Sequence, residues 1–563
     1  MLSTFSGMNY KAFESFELNL KPLTVLLGAN SCGKSALINS LLMLAQTIDS
    51  SSLTESALRL NGPRVGLGES LNVIKDKSSD NILTFSFDFD NNSLSKHIVD
   101  SFKREMVDSL VMLSRYIVHI IRSDNSKYKD IPSFTKKMDV IIVDIDNIVV
   151  RAESFNSALL KSISESICSL LRLYRENKGV ITQARKVPKA ILDMADICPI
   201  KRIQDCLLGL ITLSANKVAA KKITYNLKFE RSSKTIKVKD VCIFNKSDEV
   251  VLKLDFDKNG LKISSGIIEP SILRGSRSDI LKLANPSSLF IFNSERSRGL
   301  LSFFNDTANP VAAYISRLVS ACTHQLSQSF DGNSINHVSP LRAFPQRYYL
   351  LDKTIHHTQL NSLDGTELAE ILKKNPKIKD SINLLLAEFN LAVDIDKVND
   401  IIHKIVINQD AVDLELTDVG FGISQVLPVL VQAFLSPKKS ITILEQPEIH
   451  LHPKMQAWLT DAIIKIALQE DKVFVIETHS DALVRRIRLR IVDENSALTK
   501  DHVAIYHLER NREKSSTSLN KVDINSEGDI KWPSEFMDVE IQDTLQIQYN
   551  KVQKILKAKK GAH

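Results

Sequence analysis

Residues 24–42, TVLLGANSCGKSALINSLL, narrow the possible folds more than any other stretch of this chain. Thr24–Leu27 is an apolar run that reads as a buried strand. Gly28–Ser35 then reads GANSCGKS. The following residues, SALINSLLMLAQTI, repeat apolar side chains at helical spacing. A strand, a glycine-bounded loop and a helix in this order form a phosphate cradle. The glycines let backbone N–H groups close on phosphate oxygens, and the helix adds its positive N-terminal end. Asn30, Ser31, Cys32 and Gly33 build the loop. Lys34 is placed to bridge the β- and γ-phosphates of ATP, and Ser35 to ligate Mg²⁺. Cys32 reads as a small loop residue, with a redox role as the alternative.

Three further segments follow this loop in a fixed order. ELTDVGFGISQVLPVLVQAF carries Gly420 and Gly422, and Ser424 opens an apolar helix. A glycine-flanked helix start is a second anion site. The chain already has a phosphate loop, so this second site most economically binds the γ-phosphate held by another copy. That arrangement predicts a homodimer, or a higher homo-oligomer, with ATP sandwiched between subunits. Next, ITILEQPEIHLHP runs an apolar strand out into Glu445, Gln446 and Glu448. Glu445 suits a Mg²⁺-orienting carboxylate. Gln446 stands where a second acid would polarise water, and an amide cannot accept a proton. Glu448 lies on the same side of an extended segment and is the candidate substitute. Last, KVFVIETHSDALVRRI brings a strand to His479, within reach of the same phosphate.

These motifs resemble the ATP-binding-cassette heads of SMC/RecF/OLD-type ATPases, in particular bacterial RecF-like AAA proteins carrying EQPEIHLHP and IETHS. The segment DINSEGDIKWPSEFMD is similar to that group's short C-terminal module. The resemblance covers about residues 1–90 and 300–535. It implies an α/β fold of ABC-ATPase-head type, with a mixed sheet, flanking helices and an antiparallel β-subdomain. It also implies a scaffold or switch in antiphage defence, working with a separate effector such as an HNH or Toprim nuclease, as in Septu-type and retron-associated systems. Turnover is expected to be slow or absent. The alternative reading is a DNA-maintenance ATPase of RecF or SMC type.

Between the motifs the pattern changes. Residues 95–222 repeat apolar residues at helical spacing, as in VDSLVMLSRYIVHIIR, and read as a large helical insertion. The expected organisation is an N-terminal lobe over 1–94, the insertion over 95–222, a β-subdomain and mixed region over 223–400, a C-terminal lobe over 401–520, and a C-terminal module with a basic tail over 521–563. DVIIVDIDNIVV places Asp144 and Asp146 like a nuclease DxD pair, but in helical territory and without an upstream glutamate loop. His450 and His452 have a spacing that permits metal ligation, set against a structural loop. Arg342, in SPLRAFPQRYYLLD, is either a core support or a charge near the nucleotide. Gln46 is not assigned to magnesium.

Composition bounds the rest. The net charge of +7 over 563 residues permits nucleic-acid contact without demanding it. Arg485, Arg486, Arg488 and Arg490, and the lysines of KVQKILKAKKGAH, are the local basic clusters, read as solvated faces or as a DNA surface. The six cysteines are scattered, as in a reducing cytoplasm. No apolar run reaches the ~18–20 residues of a membrane span, and the N-terminal residues lack the pattern of a signal peptide.

Overall fold

The computed structural model describes residues 2–50, 55–90, 93–123, 143, 157–176, 189–258, 260–292, 302–304, 306–350, 360, 365, 367–410, 412–511, 513, 515–530 and 546–552. Asp144, Asp146, Trp532, Pro533 and the last lysines lie outside them. The chain divides into two compact units, Met1–Leu18 with Asn39–Gly332, and Asn19–Ile38 with Asn333–His563.

The first unit carries an antiparallel sheet. Its order runs Gly260–Ser264, Val250–Asp257, Thr235–Phe244, Lys222–Glu230, Leu83–Phe89, Leu2–Tyr10 and Phe13–Asn19. Lys222–Glu230 alternates buried and half-buried residues, as a sheet with one covered face requires. Asp257 pairs with Gly260 across a tight hairpin. The insertion is helical where it is described, at Ser93–Ser123, Ser157–Glu176, Lys189–Ile197 and Ile200–Gln204. Val99, Met106, Leu110, Leu113 and Ile117 bury one face of the Ser93–Ser123 helix. Phe102 meets Tyr314 of the Pro310–Phe330 helix edge to face, with ring centroids 5.3 Å apart. Gln46 is buried. Its amide donates to the carbonyls of Arg59 and Val65, so it clamps a loop.

The second unit holds a mainly parallel sheet ordered Ser516–Val522, Val503–Asn511, Leu23–Gly28, Val473–Glu477, Ile441–Glu445 and Ile335–Val338. Leu23–Gly28 and Val473–Glu477 are buried along their whole length, as strands with helices on both faces must be. The core gathers Val25, Leu27, Leu430, Ile463, Phe474 and Ile505 from strands and helices far apart in sequence. A separate four-stranded sheet contains Tyr349–Leu350, Leu391–Lys397, Ile402–Gln409 and Val412–Glu415. The mixed α/β architecture with a large helical insertion is the one expected from the motifs. Among the described residues no helix is long and apolar enough to cross a membrane.

Candidate functional site

The Leu23–Gly28 strand delivers the loop at the carboxyl edge of the parallel sheet. Gly28 adopts φ +145°, and a Cβ there would sit 2.5 Å from the Leu508 carbonyl oxygen and 2.8 Å from Cys32 Sγ. Only glycine fits that position. Gly33 is also at positive φ, 108°. Ala29, Asn30 and Ser31 face outward, whereas Cys32 is buried. Burial raises its thiol pKa, so it is a packed loop residue rather than a reactive thiolate. Lys34 is 4% exposed and donates to the carbonyls of Gly28 and Ala29, both at 3.0 Å. Its ammonium thus lies inside the loop, held by those two carbonyls. Ser35 is exposed in the first helical turn. A cavity of about 920 Å³ opens over Gly28–Cys32 and reaches His479 and His507–Arg510.

Two acidic strand ends meet beside this lysine. Val473–Glu477 lies between the phosphate-loop strand and Ile441–Glu445, parallel to both, with Glu477 opposite Glu445 and Leu26. Glu477 Oε1 is 3.7 Å from Lys34 Nζ. Burial first, and then the Glu445 carboxylate, raise the Glu477 pKa well above the ordinary carboxylate range, with Lys34 opposing them. Glu477 Oε2 is buried without a hydrogen-bond partner among the described residues. Glu445 Oε1 lies 2.6 Å from His337 Nε2. The carboxylates of Glu445 and Glu477 and the Ser35 hydroxyl are hard oxygen donors, the set Mg²⁺ selects. The buried, unpartnered Glu477 oxygen fits such a cation.

Gln446 leaves the strand in a left-handed conformation, φ 44°, and its N–H donates to the Glu477 carbonyl at 2.7 Å. Glu448 turns inward. Its Oε1 accepts the His479 N–H at 3.0 Å. The His479 ring lies at the cavity, and burial and then Lys34 lower its pKa. Ser480 caps the next helix by accepting from the Leu483 N–H at 3.2 Å.

Gly420 caps the Phe421–Leu435 helix. A Cβ on Gly422 would lie 3.4 Å from Met455 Sδ and 3.6 Å from Leu451, and Ser424 is buried one turn on. The structure therefore brings Gly28–Lys34, Glu445, Glu448 and His479 together. It seats the glycine turn against the segment after Glu448, apart from the cavity lining. His452 accepts the Lys454 N–H at 3.3 Å as a helix cap, and His450 occupies a left-handed turn at φ 63°. Among the described residues no group of three or more His, Cys, Asp or Glu side chains is arranged to hold a metal.

Glu477 and His337 were missed from the motifs. Glu477 had a signal, because KVFVIE ends an apolar run in glutamate as ITILE does. His337 had none, because its role comes only from the pairing of Ile335–Val338 with Ile441–Glu445.

The arginine cluster is largely neutralised within the fold. Arg486 and Arg490 share Asp461, with Arg490 Nη2 at 2.8 Å from Asp461 Oδ2. Arg485 pairs with Asp481, and Arg488 Nε donates to the Gly528 carbonyl at 2.6 Å. Asp461→Ala is expected to lower stability by roughly 1–2 kcal/mol by freeing two half-buried guanidiniums. Urea unfolding checks this, and an unchanged midpoint sinks it.

A family model described as AAA ATPase domain matches residues 1–484. No curated protein gives a significant match. Similar solved structures include the "SMC head domain from Thermotoga maritima", at 7% identity, covering 93% of this chain and 99% of that one, TM-score 0.32. A second is an SmcHead bound to the C-winged helix domain of ScpA, at 9% identity, 93% and 98% coverage, TM-score 0.35. A third is an Smc head domain with an extended coiled coil bound to the C-terminal domain of ScpA derived from Pyrococcus furiosus, at 8% identity, 92% and 96% coverage, TM-score 0.31.

Proposed function

The chain belongs to the AAA ATPase domain family, and we propose that it is an SMC/RecF-like, ATP-gated switch whose closed state controls a separate effector, a nuclease of HNH or Toprim type, in antiphage defence. The observation that supports this most is the meeting of Lys34, Glu477 and Glu445 at one sheet edge with an amide at Gln446. Such a site is furnished to hold a nucleotide and is poorly furnished to hydrolyse it.

On this reading Lys34 leaves the Gly28 and Ala29 carbonyls for the β- and γ-phosphates. Loop N–H groups from Asn30 to Lys34 cradle the same oxygens. Ser35 and Glu445 would hold Mg²⁺, with Glu477 beside them. Bound there, the ion neutralises phosphate charge. His479 contacts the γ-phosphate, and Gly420, Gly422 and Ser424 of a second copy close over it. Gln446 orients water without taking its proton, so the closed state is long-lived.

ATP-dependent self-association tests the switch. Light scattering should show a monomer, or open assembly, with ADP and a larger closed species with ATP and Mg²⁺. Identical masses in both conditions would count against the switch. The effector is tested by co-purification with the product of the neighbouring gene. The pairing of Arg486 and Arg490 with Asp461 favours this reading over a DNA clamp, which needs cations free to meet phosphates.

A further inference from the structure

Arg342 is only 7% exposed, although it lies in a segment without regular structure after the Ile335–Val338 strand. Its Nη2 donates to the carbonyls of Glu445 at 3.2 Å and Gln446 at 3.1 Å. These are the two peptides where the acidic strand turns toward the phosphate loop. Burial lowers the guanidinium pKa to about 10, and the Glu448 carboxylate acts against that shift. Arg342 Nε and Nη1 are buried with no hydrogen-bond partner among the described residues, and so is Glu448 Oε2. The other Glu448 oxygen holds the His479 N–H.

A buried arginine with unmet donors is costly, and an apolar residue of similar size would fill the space more cheaply. The cation is retained where two adjacent carbonyls must be held in a fixed arrangement, and the second of them, which also accepts the Ile449 N–H, opens the turn that carries Glu448. On the nucleotide reading, the residues of this turn face the terminal phosphate. The carbonyls set where Glu445 and Gln446 point, and Glu448 sets where His479 begins its turn. Lysine could supply the charge, but its ammonium ends one bond short of the Nη2 position from which both carbonyls accept.

We infer that Arg342 is a positioning residue for the terminal phosphate of the nucleotide. It holds the Glu445–Glu448 turn and, through Glu448, the backbone of His479, and so sets the preference for ATP over ADP. This rests on the nucleotide reading above. Arg342 acts through the groups it places.

The test uses the full chain with Mg²⁺ and titrates ATP and ADP separately into wild type, Arg342→Lys, Arg342→Gln, His479→Ala and the Arg342→Lys/His479→Ala double variant. Wild type should prefer ATP by about tenfold, the value of one hydrogen bond to a charged phosphate. Arg342→Lys should lose most of that preference while its ADP affinity stays within about twofold. The double variant should prefer ATP no less than His479→Ala alone, because both changes remove the same contact. Arg342→Lys keeps the buried charge, so it carries the test if Arg342→Gln fails to fold. Three results overturn the inference: an unchanged preference in Arg342→Lys, an equal loss of both nucleotides, or additive losses in the double variant. Wild type binding neither nucleotide overturns the nucleotide reading itself, and this inference with it.

Discussion

Lys34→Ala should weaken ATP binding by about a hundredfold or more. The ammonium is enclosed by the loop, with two carbonyls at 3.0 Å and the Glu477 carboxylate at 3.7 Å. Phosphate oxygens that replace the carbonyls make two charge-assisted hydrogen bonds. At about 1.5–3 kcal/mol each, their loss reaches two decades of affinity. Lys34 is buried, so a folding defect could imitate this result, and Lys34→Met separates the two. It retains the apolar stem and removes the charge, and Glu477 can take up a proton to balance the loss. Thermal unfolding of Lys34→Met should stay near that of wild type while titration with a fluorescent ATP analogue shows the same loss as Lys34→Ala. Binding within tenfold of wild type in both variants would refute the assignment of the phosphate site.

Gln446→Glu should raise ATP turnover by about a hundredfold, within the usual contribution of a general base. The amide at this position can hydrogen-bond a water molecule but cannot take its proton. A carboxylate there would have Glu445, Glu448 and Glu477 as neighbours. Their like charges would raise its pKa toward neutrality, where proton transfer works best. Glu448→Gln should not reproduce the gain, because Glu448 already accepts the His479 N–H. Two results separate the possible sites of the chemistry. Fast wild-type turnover that vanishes in Glu448→Gln would move the base to Glu448. A Gln446→Glu variant as slow as wild type would show that the amide is not what limits the reaction.

The strand, glycine loop and helix of residues 23–48 were legible because their parts are local. Gly28, Gly33 and Lys34 act within a few residues of one another, and the strand and helix around them have distinct periods. The order of glycine turn, acidic strand and histidine was legible for the same reason, one motif at a time. The cluster at the sheet edge was not. His337 and Glu445 are 108 residues apart in sequence, and Arg342 lies 103 residues before the carbonyl it holds. Glu477 was visible as a strand-end acid, but its neighbour could not be read without the strand order. For His450 and His452 the sequence left a metal set against a structural loop. Their spacing suits a metal, yet the fold uses His452 as a helix cap and His450 as a turn.

The chain alone thus specified the local character of each segment: a glycine-bounded loop between strand and helix, an amide after a strand-end acid, and a helical insertion between the sheet-forming ends. Folding settled which of those chemistries share a site and in what charge state. Parallel pairing sets Glu445 beside Glu477, because one register places equivalent strand ends side by side. Burial then raises the pKa of one acid and leaves a buried arginine holding the turn that follows the other. Neighbours across a sheet and depth from solvent are properties of the packed molecule, and no residue carries them in its own type or spacing.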